Sequence, residues 1–388
     1  LYVVPGWAVL AWLWRGRSLS WGEGLGLAVG ISLSIYPVMM SWLHFVGLDI
    51  GVLNALLPVT IGLIALLWRY RPWCLEWVQR MRAHKICIRD LLPDLVLTFV
   101  ILMGFAVRGI VIRSLVAPLW GDSQQHATIV QLILDNAGLF ESWQPYAPFE
   151  SLTVHIGFHS LTAVFSWLTG IGALRSTLIV GQIMNGLAFV TLYPLATYSN
   201  ESNRWRGVIA CIVAGLISPL PALYVNWGRY PQLAGQIILP IAIWFLLEAI
   251  ESDKTNQWQL IPMISLVFAG MSLTYYRMPY YLAAFALAWI VMLVIVRLVN
   301  RESLPWWGMV QLIFVGVFTS AIAAAWLYRL SGGNLVTAVH AGTSRDIPLE
   351  RVLRDYRVWR DIILYVPSLM LGAFIISFLG GLIRRDRL

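Results

Sequence analysis

An all-α, polytopic bundle of transmembrane helices is the fold class this sequence predicts, and three observations predict it. Of 388 residues, 59% are hydrophobic and only 12% charged, with a mean hydropathy of +0.74. Apolar stretches of about 17–25 residues recur along the chain, the length a helix needs to cross a bilayer. The runs 91–112, 207–222 and 280–296 are apolar on every side. A strand barrel would alternate in short segments instead.

Taken in order, the first apolar run, 1–14, is short for a span and begins without Met, so the expectation is that the true N-terminus lies upstream. Runs 22–46 and 51–68 follow. In the first, Gly22, Gly24, Gly26 and Gly30 are spaced as small residues that let neighbouring helices approach. The loop 69–90 carries Arg69, Arg71, Arg80, Arg82, Lys85 and Arg89, the strongest cytoplasmic signal in the chain. Run 91–112 then leads outward to a long polar segment, 113–151. Segment 152–170 is interrupted by Thr153, His155, His159, Ser160 and Thr162, and it reads as an interfacial or re-entrant helix. With that helix left uncrossed, the basic loops after 198 and 298 fall inside. The spans are then 175–198, 207–224, 232–250, 259–275, 280–298 and 307–328, with an eleventh at 361–383. This arrangement puts 113–174, 225–231, 276–279 and 329–360 on one external face.

The organisation follows: N-terminal helices and basic loop in 1–90, a core with its external loop in 91–300, and C-terminal helices with external loop 329–360 in 301–388. The formal charge is +8, from 27 basic and 19 acidic residues. Spread over short loops, the basic residues set topology, and no nucleic-acid partner is read. Cys74, Cys87 and Cys211 form no CxxC pair, so neither a disulfide framework nor a zinc site is indicated.

Three stretches carry chemistry. The first, "GDSQQHATIVQLILDNAGLF", places Asp122 before an amphipathic segment ended by Gly138. Asp122 suits two roles: N-cap of the helix beginning at Ser123, or a surface carboxylate that takes a proton from an acceptor hydroxyl or holds a metal. His155 and His159, four apart, share one helical face; without an HExxH pattern or a third ligand they read as hydrogen-bonding groups or members of a substrate pocket. His126 is a weaker candidate. The second and third stretches are "NWGRYPQ" and "TYYRMPYY". Arginine beside a span either snorkels within an aromatic belt or meets an anion. As anion ligands, Arg229 and Arg277 would grip phosphate oxygens, with Tyr230, Tyr276 and Tyr280 packing lipid or sugar and Asn226 and Gln232 nearby. Segment 329–360 mixes Arg345, Asp346, Arg351, Arg354, Asp355 and Arg357, and is either a solvated loop or one that closes over the site.

The order of these features resembles the polyprenyl-phosphate-dependent glycosyltransferases of the GT-C superfamily, in particular a poorly characterised bacterial branch. The resemblance spans roughly residues 91–300. It rests on a membrane helix followed by "GDSQQHATIVQLILDNAGLF", then "PYAPFESLTVHIGFHSLTAVFSWLTG", and later "NWGRYPQLAGQ". It implies an inverting sugar transfer from a lipid-phosphate carrier to an acceptor at the extracytoplasmic face of the bacterial plasma membrane, in cell-envelope chemistry. Asp122 would then be the catalytic base or the group that orients the acceptor, with Arg229 and Arg277 as phosphate ligands and the Tyr residues as walls for lipid and sugar. The second acid of the family's metal-binding pair is not adjacent to Asp122; no cofactor is therefore assigned, and Mg or Mn is the candidate cation. Expected partners are the lipid-linked sugar, membrane lipids and other membrane proteins. Two other classes fit the composition: a transporter or flippase of a lipid-linked or anionic solute, and a non-catalytic membrane subunit. The first would require charges at mid-membrane depth and internal repeats.

Overall fold

The computed structural model describes residues 1–83, 88–148, 155–198, 203–251 and 258–330, with the side chains of 72–83, 88–90, 251 and 330 excepted. Most of the expected closing loop 329–360, the eleventh crossing at 361–383, and Cys87 fall outside the described residues, as does the side chain of Cys74. Among the described residues the protein is helical without strands. Among those residues eight helices are long and apolar enough to cross a membrane.

The elements run α1 Val4–Leu13, α2 Trp21–Phe45, α3 Val52–Ala83, α4 Ile88–Ile112, α5 Gly121–Asp135, α6 Gly157–Thr169 and α7 Ala173–Val190. They continue with α8 Leu192–Ala196, α9 Arg204–Ile212, a π-helical turn Val213–Ile217, α10 Ala222–Asn226, α11 Tyr230–Glu251, α12 Leu260–Thr274, α13 Met278–Val299 and α14 Trp306–Leu330. Two expected crossings come out short, α1 with 10 residues and α12 with 15. At 1.5 Å per residue, α1 reaches only about 15 Å, half of a bilayer's hydrocarbon. Helix α3 continues through the expected loop at Arg69 and Arg71 to Ala83.

Why α2 starts where it does is legible in its first turn. Ser20 and Glu23 form a reciprocal capping box, which satisfies two of the amide donors a helix start leaves open. Glu23 is 2% exposed, and its carboxylate also accepts from Arg17 at 2.6 Å and from Thr197 Oγ1 at 2.9 Å. Deeper in the bundle, the glycines of α2 meet their neighbours. A Cβ on Gly30 would lie 2.6 Å from Ile241, and one on Gly26 2.7 Å from Pro194. The core built around this contact is apolar, with Leu27, Ile31, Leu33, Ile237, Ile241, Trp244 and Phe245 fully buried.

Polar contacts mark the two ends of the bundle. At one end lie the Arg17–Glu23–Thr197 cluster and the Arg204–Asp94 ion pair, 3.0 Å apart. At the other, Arg329 near the C-terminus of α14 donates to the Phe140 carbonyl and pairs with Glu141, which also meets His44 at the end of α2. Helix α6 begins and finishes at this second end. Its first residues are tied to the end of α12 through Ile156 N–H donating to the Leu273 carbonyl at 2.9 Å, and Ala173 just beyond it packs with Ile50, Ile129 and Ile133. The re-entrant reading of 152–170 agrees with this geometry, and α6 is outside the set of spanning candidates.

Candidate functional site

At the second end of the bundle a cleft of about 910 Å³ opens between three chain segments. Helix α5 supplies one wall. Asp122, Gln125, His126 and Ile129 fall at i, i+3, i+4 and i+7, so one face of the helix lines the cleft. The stretch 224–232 supplies Tyr224, Trp227, Arg229 and Gln232, and the turn between α12 and α13 supplies Tyr275, Tyr276 and Arg277. His155 and Trp143 complete the lining.

Two glycines join these segments. Gly228, at φ +65°, lies so close to the start of α5 that a Cβ there would stand 2.6 Å from Ser123 Oγ and 2.9 Å from Ser123 N. Gly157 is pressed against Thr274, where an added Cβ would stand 2.6 Å from its Cα. The first contact brings Arg229 to Asp122, with Arg229 Nη1 3.4 Å from Asp122 Oδ2. The second sets His155 beside the tyrosines, its ring 5.6 Å from Tyr275 and stacked on Tyr276 at 6.3 Å. Arg277 lies over the Tyr276 ring at 5.3 Å and donates from Nε to the Tyr276 hydroxyl at 2.9 Å.

Asp122 is not the helix N-cap. Helix α5 starts at Gly121, two residues before the expected Ser123, with Trp120 in the cap position at φ +74° and no side-chain cap. A bulky residue in that region is strained by about 1–3 kcal/mol, and such strain gathers at functional sites. Asp122 instead sits in the first turn, where the partial positive charge of the helix start favours a carboxylate.

Three histidines meet behind this wall. His126 Nδ1 is 2.9 Å from Nε2 of His159, and His159 Nδ1 is 3.1 Å from the carbonyl oxygen of His155. Burial, reinforced by the neighbouring His155 and Arg229 and opposed by the Gly228 carbonyl, pulls the His126 pKa down to about 3. Burial pulls that of His155 down to about 4, and that of fully buried His159 well below the ordinary value. All three are neutral at pH 7.

Of the residues anticipated from sequence, Asp122, His155, Arg229, Gln232, Tyr276 and Arg277 line the cleft. Four do not. Tyr230 is 1% exposed and stacks on Phe158 at 4.9 Å, a core residue beneath the site. His159 is fully buried and touches the cleft lining through His126 and His155. Asn226 is exposed outside the lining, and Tyr280, 72% exposed, projects from α13 away from it. Sequence reasoning undervalued His126 and passed over Gln125, Trp143, Tyr224, Trp227 and Tyr275. The helical spacing from Asp122 was the available signal for Gln125 and His126. Tyr224 is oriented by Gln236, whose Nε2 donates to its hydroxyl at 2.9 Å.

Among the described residues no group of three His, Cys, Asp or Glu side chains is disposed to hold one metal ion. Among the described residues Asp122 is the only carboxylate on the cleft lining, and it already faces Arg229. The described residues do not fit a protein-held Mg or Mn ion, and no chemistry is routed through one.

Fold and site together define a multi-pass integral membrane protein with a cleft lined by arginine, histidine and aromatic residues at one end of its bundle. The chain belongs to DUF6541, a family of unknown function, which it matches over residues 1–387. No curated protein and no solved structure matches it.

Proposed function

We propose that the protein is a membrane glycosyltransferase of GT-C type, moving a sugar from a polyprenyl-phosphate donor to an acceptor at the extracytoplasmic face of a bacterial plasma membrane. One observation carries the reading: Asp122, Arg229 and Arg277 come from three separate segments and meet on a single cleft walled by Tyr275, Tyr276 and Trp227. In an inverting displacement the acceptor oxygen attacks the anomeric carbon as the bond to the lipid phosphate breaks. Two arginines match the charge that develops on the departing phosphate, since their planar forks bind phosphate oxygens in pairs. The aromatic walls suit a sugar face and a prenyl chain. Asp122, held by Arg229, engages the acceptor hydroxyl. Charge supports the choice of face: the end opposite the cleft holds Arg17 and Arg204, with Arg15 and Arg206 beside them in sequence.

Transfer of radiolabel from a panel of polyprenyl-phosphate sugars into membrane acceptors tests this, with Asp122→Asn and Arg277→Ala at matched expression. Loss of transfer in both variants supports a single site. A folded wild type that moves no sugar from any donor would transfer the reading to a transporter or a scaffold subunit.

A further inference from the structure

The hydrogen-bond chain behind the cleft determines where its protons lie. A backbone carbonyl only accepts, so the contact between His159 Nδ1 and the His155 carbonyl oxygen requires a proton on Nδ1 of His159. Neutral His159 then carries a lone pair on Nε2, which must accept from Nδ1–H of His126. With its one proton placed there, neutral His126 keeps a lone pair on Nε2. The ring of His126 is on the cleft lining, one helical turn from Asp122.

We propose that His126 is the general base of this cleft, presenting an unprotonated Nε2, and that His159 is the positioning residue that sets its tautomer. The inference rests on the transferase reading for its substrate but not for its tautomer. The step balances simply. The acceptor O–H bond breaks and its proton moves to His126 Nε2; the acceptor oxygen bonds to the anomeric carbon; the bond from that carbon to the phosphate oxygen breaks, and the lipid phosphate leaves with the electron pair toward Arg229 and Arg277. The imidazolium that results can give a hydrogen bond to the Gly228 carbonyl, which favours the protonated ring. It returns its proton to water in the cleft.

The groups facing His126 are His155 and His159 from α6 and the chain before it, Arg229 and Tyr230 from the start of α11, and Asp122 on its own helix. Burial, with His155 and Arg229 beside it, holds it neutral over the working pH range. Asp122 is then free to orient the acceptor while bonded to Arg229, a division of labour that a lone carboxylate base would not allow.

The test has two arms on the full-length protein. Nitrogen NMR of ¹⁵N-histidine-labelled protein in nanodiscs reports tautomers without any substrate. From pH 6 to 8, His126 is expected neutral with its proton on Nδ1, and His159→Phe is expected to release it to the Nε2–H form that free histidine prefers. An Nε2–H or imidazolium His126 in the wild type at pH 7 overturns the proposal. In the transfer assay, His126→Gln is expected to lower kcat by about 10²- to 10⁴-fold at little change in KM for the donor. Retained kcat in that variant also overturns it. The predicted tautomer in a protein that transfers no sugar would sink the transferase reading alone and leave a positioned base for other chemistry.

Discussion

Gly228 is the position where one methyl group separates the candidate site from the rest of the fold. Substituting alanine there has two effects. Its φ of +65° lies in the left-handed region, which costs an L-residue about 1–2 kcal/mol. The new Cβ would also stand 2.6 Å from Ser123 Oγ, 2.9 Å from Ser123 N and 3.3 Å from Asp122 Cβ. The hydroxyl could rotate away, but the amide nitrogen belongs to the first turn of α5 and moves only with that turn; overpacking of this kind costs about 1–3 kcal/mol. The sum is about 2–5 kcal/mol. Gly47, at φ +73°, has nothing within 4 Å of the same methyl group, so Gly47→Ala bears the backbone term alone. Thermal unfolding in detergent would compare the two variants. The midpoint for Gly228→Ala should fall well below that for Gly47→Ala, and adding Ser123→Ala should recover part of the difference, because the two side chains share one contact. Equal midpoints for the two glycine variants would refute the claim that the turn at 226–230 is locked onto α5.

Three further outcomes are expected. The depressed histidine pKa values mean that the folded protein binds fewer protons than the unfolded chain below about pH 6.5, so stability is full above that pH and declines as acid is added. At pH 5 the loss is about 2 kcal/mol for each of His126 and His155, and His155→Gln should flatten the acid limb of a midpoint-versus-pH curve. Glu23→Gln leaves Arg17 without its carboxylate partner in a mostly buried cluster; a loss on the order of 3 kcal/mol is expected in chemical denaturation, against near-neutrality if the pair is solvated. Tyr230→Phe gives up only the 3.4 Å contact between its hydroxyl and Ser123, about 0.5–1.5 kcal/mol, whereas Tyr230→Ala empties the space beside Phe158 and Gly181 and costs about 3–5 kcal/mol. Donor binding that collapses in the phenylalanine variant would return Tyr230 to the cleft.

Helix class and most span positions were legible because a bilayer-length apolar run has few alternatives to a helix. The glycines of α2 were a sound guide to close packing. What stayed hidden was depth. Arg229 and Tyr230 are neighbours in sequence, yet one projects into the cleft and the other lies beneath it, because α11 begins at that point and turns adjacent side chains about 100° apart. Tyr276 and Tyr280 look alike in "TYYRMPYY", but the first precedes the turn into α13 and the second is already on that helix's exposed face. The importance of His126 depended on a partner 33 residues away, which no local pattern displays. Glu23 was equally opaque: three residues after Ser20 it announces a capping box, but Thr197 at the far end of α7 and α8 is visible only in three dimensions.

On the proposed reading, the distribution of exposure also assigns directions of approach to the two substrates. Helix α13 is almost entirely unburied along its length, so in a membrane its flank is covered by lipid. Arg277 stands at its first turn, with Tyr280 and Tyr281 exposed just below on the same end of the helix. A polyprenyl chain lying along that flank would deliver its phosphate to Arg277 and then to Arg229, with the sugar reaching Asp122. The opposite wall, carrying His126 and backed by His159, exposes the amides of Gln124 and Gln125 in place of an apolar flank, while Ser123, Ala127 and Val130 of α5 are packed inward. An acceptor is left with the approach past Trp143 and Trp227, from the water side. Tyr280, although absent from the cleft lining, gains a role under this arrangement: it is placed to meet the lipid next to its phosphate, not the sugar.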